Sequence, residues 1–212
     1  MKGRLITLEG AEGSGKSTQA ALLLAYLEEK KKDVRLIREP GGVKISEAIR
    51  NLLLDVKNEA MGRECETLLY MAARAQLVEE VILPALKKGT VLLCDRFLDS
   101  TIAYQGYGNG VEIDVIKQLG RFATHGVVPA LTFLFDIDPA QGLARTRREK
   151  DRIELRPLEY HERVRAGYLA LAEAEPKRIK VIPVDRGKDE IFAIVRQAVD
   201  EFLGLSSSRK KG

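Results

Sequence analysis

Short apolar runs alternate along the chain with longer stretches whose apolar residues recur at helical spacing. The runs are Leu5–Glu9, Val34–Arg38, Val91–Cys94, Leu131–Asp136 and Ile179–Val184, each of strand length. Helical patterns lie between them. From Lys16 onward, Leu22, Leu23, Tyr26 and Leu27 share a face, and Glu28–Lys32 form a polar end. Ile45, Ile49, Leu52 and Leu53 mark a second helix. Glu66–Leu86, Asp114–Phe122, Gln141–Arg148, Leu158–Ala174 and Glu190–Leu203 follow, with Pro84 marking a kink or a new start. Five buried-type strands separated by helices predict an α/β fold in three layers, with a parallel sheet covered on both faces. Right-handed crossovers then place every strand's C-terminal end at one edge, where ligands bind. No repeat or interdomain linker interrupts the pattern. Residues 1–205 are therefore expected to form one domain, and the apolar-free stretch 206–212 a disordered basic tail.

Composition narrows the class. The 212 residues are 45% hydrophobic and 31% charged, a globular balance that needs no disulfide or metal staple. Ala20–Leu27 and Val127–Phe135 are the longest nearly apolar runs, against about 20 residues needed to cross a bilayer. No membrane association is expected. After Met1–Arg4 the apolar stretch Leu5–Leu8 is too short for a secretory leader. The two cysteines, Cys65 and Cys94, lie far apart, which predicts a reducing, cytoplasmic setting. With two histidines besides, a structural zinc site is not expected. The formal charge of +4 suits a small anionic ligand. Few aromatics sit among the cationic clusters, so no nucleic-acid polymer is expected as a partner.

The candidate chemistry falls just after the strands. Gly10-Ala11-Glu12-Gly13-Ser14-Gly15-Lys16-Ser17, followed by Thr18, fits the P-loop pattern G-x-x-x-x-G-K-[ST] between a strand and a helix. Its glycines let successive N–H groups point into one anion-sized hollow at a helix N-terminus. Lys16 supplies a charge for the β- and γ-phosphates of ATP, and Ser17 a hydroxyl for Mg2+. The absence of D-x-x-G and N-K-x-D motifs argues against a GTPase switch. Arg38-Glu39-Pro40-Gly41-Gly42 places an arginine and a tight turn at the ligand edge. Asp95 and Arg96 offer a carboxylate for Mg2+ and a fork for phosphoryl oxygens, or else an internal ion pair. Ser100, Thr101, Tyr104 and Gln105 follow on one short helical stretch. Tyr70 and Arg74 share a helix face, able to stack a base and read its edge, or to serve as core tyrosine and surface arginine. Arg145, Arg147, Arg148, Lys150 and Arg152 crowd one segment, read as a lid over about 142–156 or as a solvated helix face.

Together these segments resemble the thymidylate kinase family over essentially the whole chain. Leu93-Cys94-Asp95-Arg96-Phe97-Leu98-Asp99-Ser100-Thr101-Ile102-Ala103-Tyr104-Gln105-Gly106 is similar to the family signature, and Arg38–Gly42, Glu66–Arg74 and Asp151–Glu154 resemble its other motifs. The acidic P-loop and basic lid resemble the bacterial type. The resemblance implies a P-loop NTPase-type sheet in order 2-3-1-4-5 and transfer of the γ-phosphoryl of ATP to dTMP with Mg2+. It also implies a cytosolic homodimer. It assigns Lys16, Ser17 and the loop backbone to ATP, and Arg38 and Arg96 to the dTMP phosphate. Asp95 would organise Mg2+, and Glu12 would lie near the sugar 3′-hydroxyl. Tyr70 would stack on thymine, Arg74 would reach O4, and Thr101 and Gln105 would lie near the base edge. Tyr104 would pack at the sugar C2′. Either Arg147 or Arg148 would face the transferring phosphate. Tyr70 stands where the family usually has phenylalanine, and Val43 where threonine is usual. The competing readings are a P-loop kinase for another nucleoside monophosphate and a nucleotide-dependent switch.

Overall fold

A computed structural model describes residues 3–145 and 149–205. Its elements run β1 (Arg4–Gly10), α1 (Lys16–Glu29), β2 (Val34–Arg38), α2 (Lys44–Leu54), α3 (Arg63–Leu77), α4 (Leu83–Lys88) and β3 (Val91–Asp95). They continue through α5 (Leu98–Thr101), α6 (Ile113–Ala123), β4 (Leu131–Asp136), α7 (Pro139–Arg145), α8 (Leu158–Ala174), β5 (Ile179–Pro183) and α9 (Lys188–Leu203). The expected arginines Arg147 and Arg148, and the expected tail 206–212, lie outside the described residues.

The five strands pair in parallel in the order β2-β3-β1-β4-β5. Strand alternation sorts the two faces. Ile6 and Leu8 of β1 join Leu93, Phe133 and Phe135 in one core with Ala20, Leu23 and Leu27 of α1 and Ile191, Val195 and Val199 of α9. Leu5, Leu92 and Cys94 face the other way, against the α3–α4 arm. Leu134 and Ile179 on that second face meet α6 and α8. Thr7 and Thr132 lie on the same face and share a hydrogen bond of 2.7 Å, and Glu9 continues their line.

The arm beginning with α3 does not break at Pro84. It passes through a π-helical stretch, Val78–Ile82, whose wide turn leads directly into α4, and Pro84 stands at the start of α4, the new start expected there. A second π-helical stretch, Ile102–Gly108, prolongs α5, and its wide turn packs tightly on α8. That approach depends on glycine: a Cβ on Gly108 would stand 2.5 Å from the Tyr160 ring, and one on Gly167 would stand 2.6 Å from the Tyr107 ring. In α2 the apolar pattern points partly outward. Leu53 is buried, whereas Ile45 and Leu52 are exposed.

Candidate active site

The register of β1, β2 and β3 sets Leu8 and Arg38 each beside Asp95, so the turns after all three strands converge at one edge. The loop from Gly10 to Gly15 wraps there before α1. Gly10, Gly13 and Gly15 all have positive φ, with Gly15 capping the helix. At Gly13 space is as decisive as conformation, since a Cβ would lie 2.0 Å from the Gly142 carbonyl of α7. Ser14 Oγ donates to the Ala11 carbonyl at 2.7 Å, and Lys16 Nζ donates to the same carbonyl at 2.7 Å. Burial, with Arg96 nearby, pushes the Lys16 ammonium down to about 8, opposed by Asp95, Glu12 and Glu9. Ser17 Oγ donates to Asp95 Oδ2 at 2.7 Å.

Arg96 follows Asp95 in the left-handed region, with φ of 72°, a conformation that few arginines adopt. Its backbone is pinned on both sides: its own N–H donates to Leu8 O, and the Phe97 N–H donates to Glu9 Oε1 at 2.7 Å. The guanidinium spreads its donors over Glu12 Oε1 (2.8 Å), Tyr104 Oη (3.2 Å), Tyr168 Oη (3.2 Å) and Ser100 Oγ (3.3 Å). Tyr104 Oη in turn donates to both Glu12 oxygens at 2.8 Å. Burial works to raise the Glu12 carboxyl, but Arg96, Lys16 and Tyr104 outweigh it and hold it below the usual carboxylate range. Asp95 and Arg96 are therefore not partners of one another; the arginine pairs with the P-loop glutamate. Behind them Glu9, fully buried, also accepts from Ser100 Oγ at 2.6 Å and Tyr168 Oη at 3.1 Å. Burial and the nearby Asp99 raise Glu9 to about 7.

One cavity of about 560 Å³ joins the loop to the rest of the expected residues: Lys16, Ser17, Glu12 and Gly13 at one end, then Arg38, Asp95 and Arg96, then Tyr70, Arg74, Ser100, Thr101, Tyr104 and Gln105. Arg74 is buried, not a surface arginine. Its Nε donates to Glu39 Oε2 at 2.7 Å and its Nη2 to Phe97 O at 3.0 Å. Arg38 is held by Glu47 and by the Pro40 carbonyl. The buried Thr101 Oγ1 has no hydrogen-bond partner among the described residues. Sequence reading missed Arg50, which lines the cavity and donates to Pro40 O, and Glu9 and Glu66 behind its wall.

A second cavity, about 250 Å³, adjoins the helix end of the loop and is lined by Ser14, Gly15, Thr18 and Gln19 with Arg145, Val184, Arg186, Lys188 and Ile191. The β5–α9 turn was the missed element here; its place at the same sheet edge was its signal. The end of the segment expected to act as a lid is firmly packed. Arg152 and Glu154 are buried, and Arg152 Nε donates to Leu53 O at 2.8 Å.

Comparison with known proteins agrees with this arrangement. The family model described as thymidylate kinase matches residues 8–194. A thymidylate kinase of Geobacillus sp. (strain WCH70) is 47% identical over 203 residues, covering 94% of this chain and 97% of that protein. One from Symbiobacterium thermophilum is 46% identical over 199 residues, covering 93% of each. The solved thymidylate kinase of Ehrlichia chaffeensis superposes with a TM-score of 0.77 at 35% identity, covering 94% of this chain and 99% of that one.

Proposed function

The chain belongs to the thymidylate kinase family, and from that premise we propose that its continuous cleft moves the γ-phosphoryl group of ATP onto the 5′-phosphate of dTMP, giving dTDP and ADP. The observation that carries this reading is the single cavity uniting Lys16 and Ser17 with Arg38 and Arg96. A donor-phosphate cradle alone would serve a switch; a second cationic phosphate site facing it calls for an acceptor.

In this reading the loop amides and Lys16 hold the β- and γ-phosphates, and the adjoining cavity between Arg145 and Arg186 takes the remainder of ATP. Arg38 and Arg96 grip the acceptor phosphate, with Arg96 aimed by its pinned left-handed backbone. Glu12, kept ionised, accepts from the sugar 3′-hydroxyl. Tyr70 stacks on the base, and Arg74 has Nη1 left to donate to O4, since its only partner there among the described residues is the Met71 sulfur at 3.4 Å. Tyr104, whose hydroxyl is tied to Glu12, presents its ring where a ribose 2′-hydroxyl would sit. Either Arg147 or Arg148, which follow α7 in the sequence, is assigned to the transferring phosphoryl.

The residues present fit Mg2+. Ser17 and Asp95 bring two hard oxygen donors together, and among the described residues no group of three His, Cys, Asp or Glu forms a complete cage. That suits an ion that takes one or two protein oxygens and leaves the remainder to phosphates and water. Held there by Ser17 and Asp95, it would supply positive charge to the phosphates.

We also propose a homodimer. Ile45 and Leu52 on α2, Leu68 on α3, and Val115 and Phe122 on α6 are exposed on packed neighbouring helices, Phe122 at 83%. No described helix is long and apolar enough to cross a membrane. The free thiols of Cys65 and Cys94 support a reducing cytoplasmic setting. The test of the activity is ADP release measured across the deoxynucleoside and ribonucleoside monophosphates. Preference for another acceptor overturns the substrate, and ATP binding without acceptor-dependent ADP release overturns the kinase.

A further inference from the structure

Gln105 lies on the π-helical stretch, is 1% exposed, and lines the cavity beside Tyr70 and Arg74. An amide has two chemically opposite ends, one accepting and one donating, and either can face a ligand. In this protein the choice is made from behind. Gln105 Nε2 donates at 2.9 Å to Oε1 of Glu66, a fully buried residue of α3. A carboxylate cannot donate, so only the amino end of Gln105 can face it. The same carboxylate accepts from Asn109 Nδ2 at 2.8 Å and pairs with Arg152 and Arg156 at 2.6 Å each. All four groups facing this carboxylate, the amides of Gln105 and Asn109 and the guanidinium groups of Arg152 and Arg156, therefore point donors at it. Gln105 Oε1 has no hydrogen bond among the described residues, and it is the end left for the cavity.

We infer that Glu66 is a specificity-determining positioning residue: by fixing the Gln105 amide it presents an acceptor, next to the donor Nη1 of Arg74, to the base edge. This rests on the base site proposed above. A donor and an acceptor side by side match a base whose edge carries a carbonyl oxygen beside an N–H, as thymine and uracil do at O4 and N3. Cytosine offers an amino group and a bare ring nitrogen at those positions. It therefore sets donor against guanidinium and acceptor against acceptor. Glu66 touches no substrate; it acts only through Gln105. Without it, the amide is free to turn and offer N–H to the cytosine nitrogen.

The experiment measures kcat/KM for dTMP, dUMP and dCMP in the wild type, Glu66→Gln and Gln105→Met, with thermal melts alongside. Glu66→Gln keeps shape but can donate or accept, so it no longer dictates the amide's direction. The expected result is a rise in the dCMP-to-dTMP ratio of about 10-fold or more, the scale of one buried mispaired polar group. The dUMP-to-dTMP ratio should stay put, because both bases share the same edge. Glu66→Gln leaves the buried Arg152 and the half-buried Arg156 facing a neutral amide. Where it fails to fold, Glu66→Gln with Arg152→Met carries the same test. A folded Glu66 variant that rejects dCMP as strongly as the wild type, while Gln105→Met does not, overturns the role of Glu66. Unchanged rejection in Gln105→Met overturns the edge-reading role of Gln105 and the proposal with it. A wild type with no preference for dTMP over dCMP overturns the underlying base site instead.

Discussion

Replacing Glu9 with glutamine should change how stability depends on pH. Glu9 sits on the inner face of β1, fully buried, behind Arg96 and Ser100. Burial, reinforced by Asp99, raises its carboxyl from 4.5 to about 7, while Ser100, Arg96 and the Phe97 amide pull the other way. Asp99 is itself paired with Arg178 of the turn before β5, and Tyr168 of α8 completes the shell. The sign follows from linkage. The folded protein holds a proton on Glu9 that the unfolded chain releases near 4.5, so the contribution of this one group to stability is fully present below that pH and is lost as pH rises through about 7. The interval from 4.5 to about 7 corresponds to roughly 3 kcal/mol. For a chain of 212 residues that is roughly 6–12 °C in Tm. Glutamine can still accept the Phe97 N–H and does not titrate. The wild type should therefore fall relative to Glu9→Gln between pH 5 and pH 7.5, by most of that amount. Calorimetric melts of both proteins without nucleotide measure it. Parallel curves over that range would refute a proton held at Glu9.

Lys16→Ala should abolish phosphoryl transfer and leave the melting temperature near that of the wild type; near-normal turnover in a folded variant would remove the lysine from the mechanism. Tyr104→Phe keeps the ring and should keep discrimination against ribo-TMP, whereas Tyr104→Ala should lose it; equal discrimination in all three proteins contradicts the steric assignment. The double change Arg147→Ala with Arg148→Ala should cost at least about 10³ in kcat, with ATP affinity altered less than tenfold. Loss confined to ATP binding would make the segment a passive clamp. Phe122→Asp should shift the sedimentation profile toward monomer; an unchanged profile would place any subunit contact elsewhere.

Periodicity revealed the strands because each is apolar over most of its length, and the P-loop was legible because its glycines and Lys16 lie within eight residues. The cleft's front wall followed for the same reason: Arg38 and Asp95 each stand one step past an apolar run, and Arg96 two steps past. Its rear wall did not. Glu9 closes the first apolar run in the sequence and reads as a strand stop, yet in the sheet it continues the inward line of Leu5 and Thr7. A carboxylate at an inward position was the available signal, and alternation along β1 would have exposed it. Arg152 illustrates the opposite error. In a cluster of cations it reads as mobile charge, but its buried partner, Glu66, lies 86 residues earlier and appears only when α3 meets the end of the segment. Ile45 and Leu52 share a helical pattern with the buried Leu53, yet both stay exposed. Periodicity reports that a face is apolar, not whether the chain itself or a second copy covers it. What local pattern conveys is therefore which residues can line the cleft. What aims them is a set of long-range pairs, Glu9 behind Arg96 and Glu66 behind Gln105, whose members are joined only by the topology of the sheet.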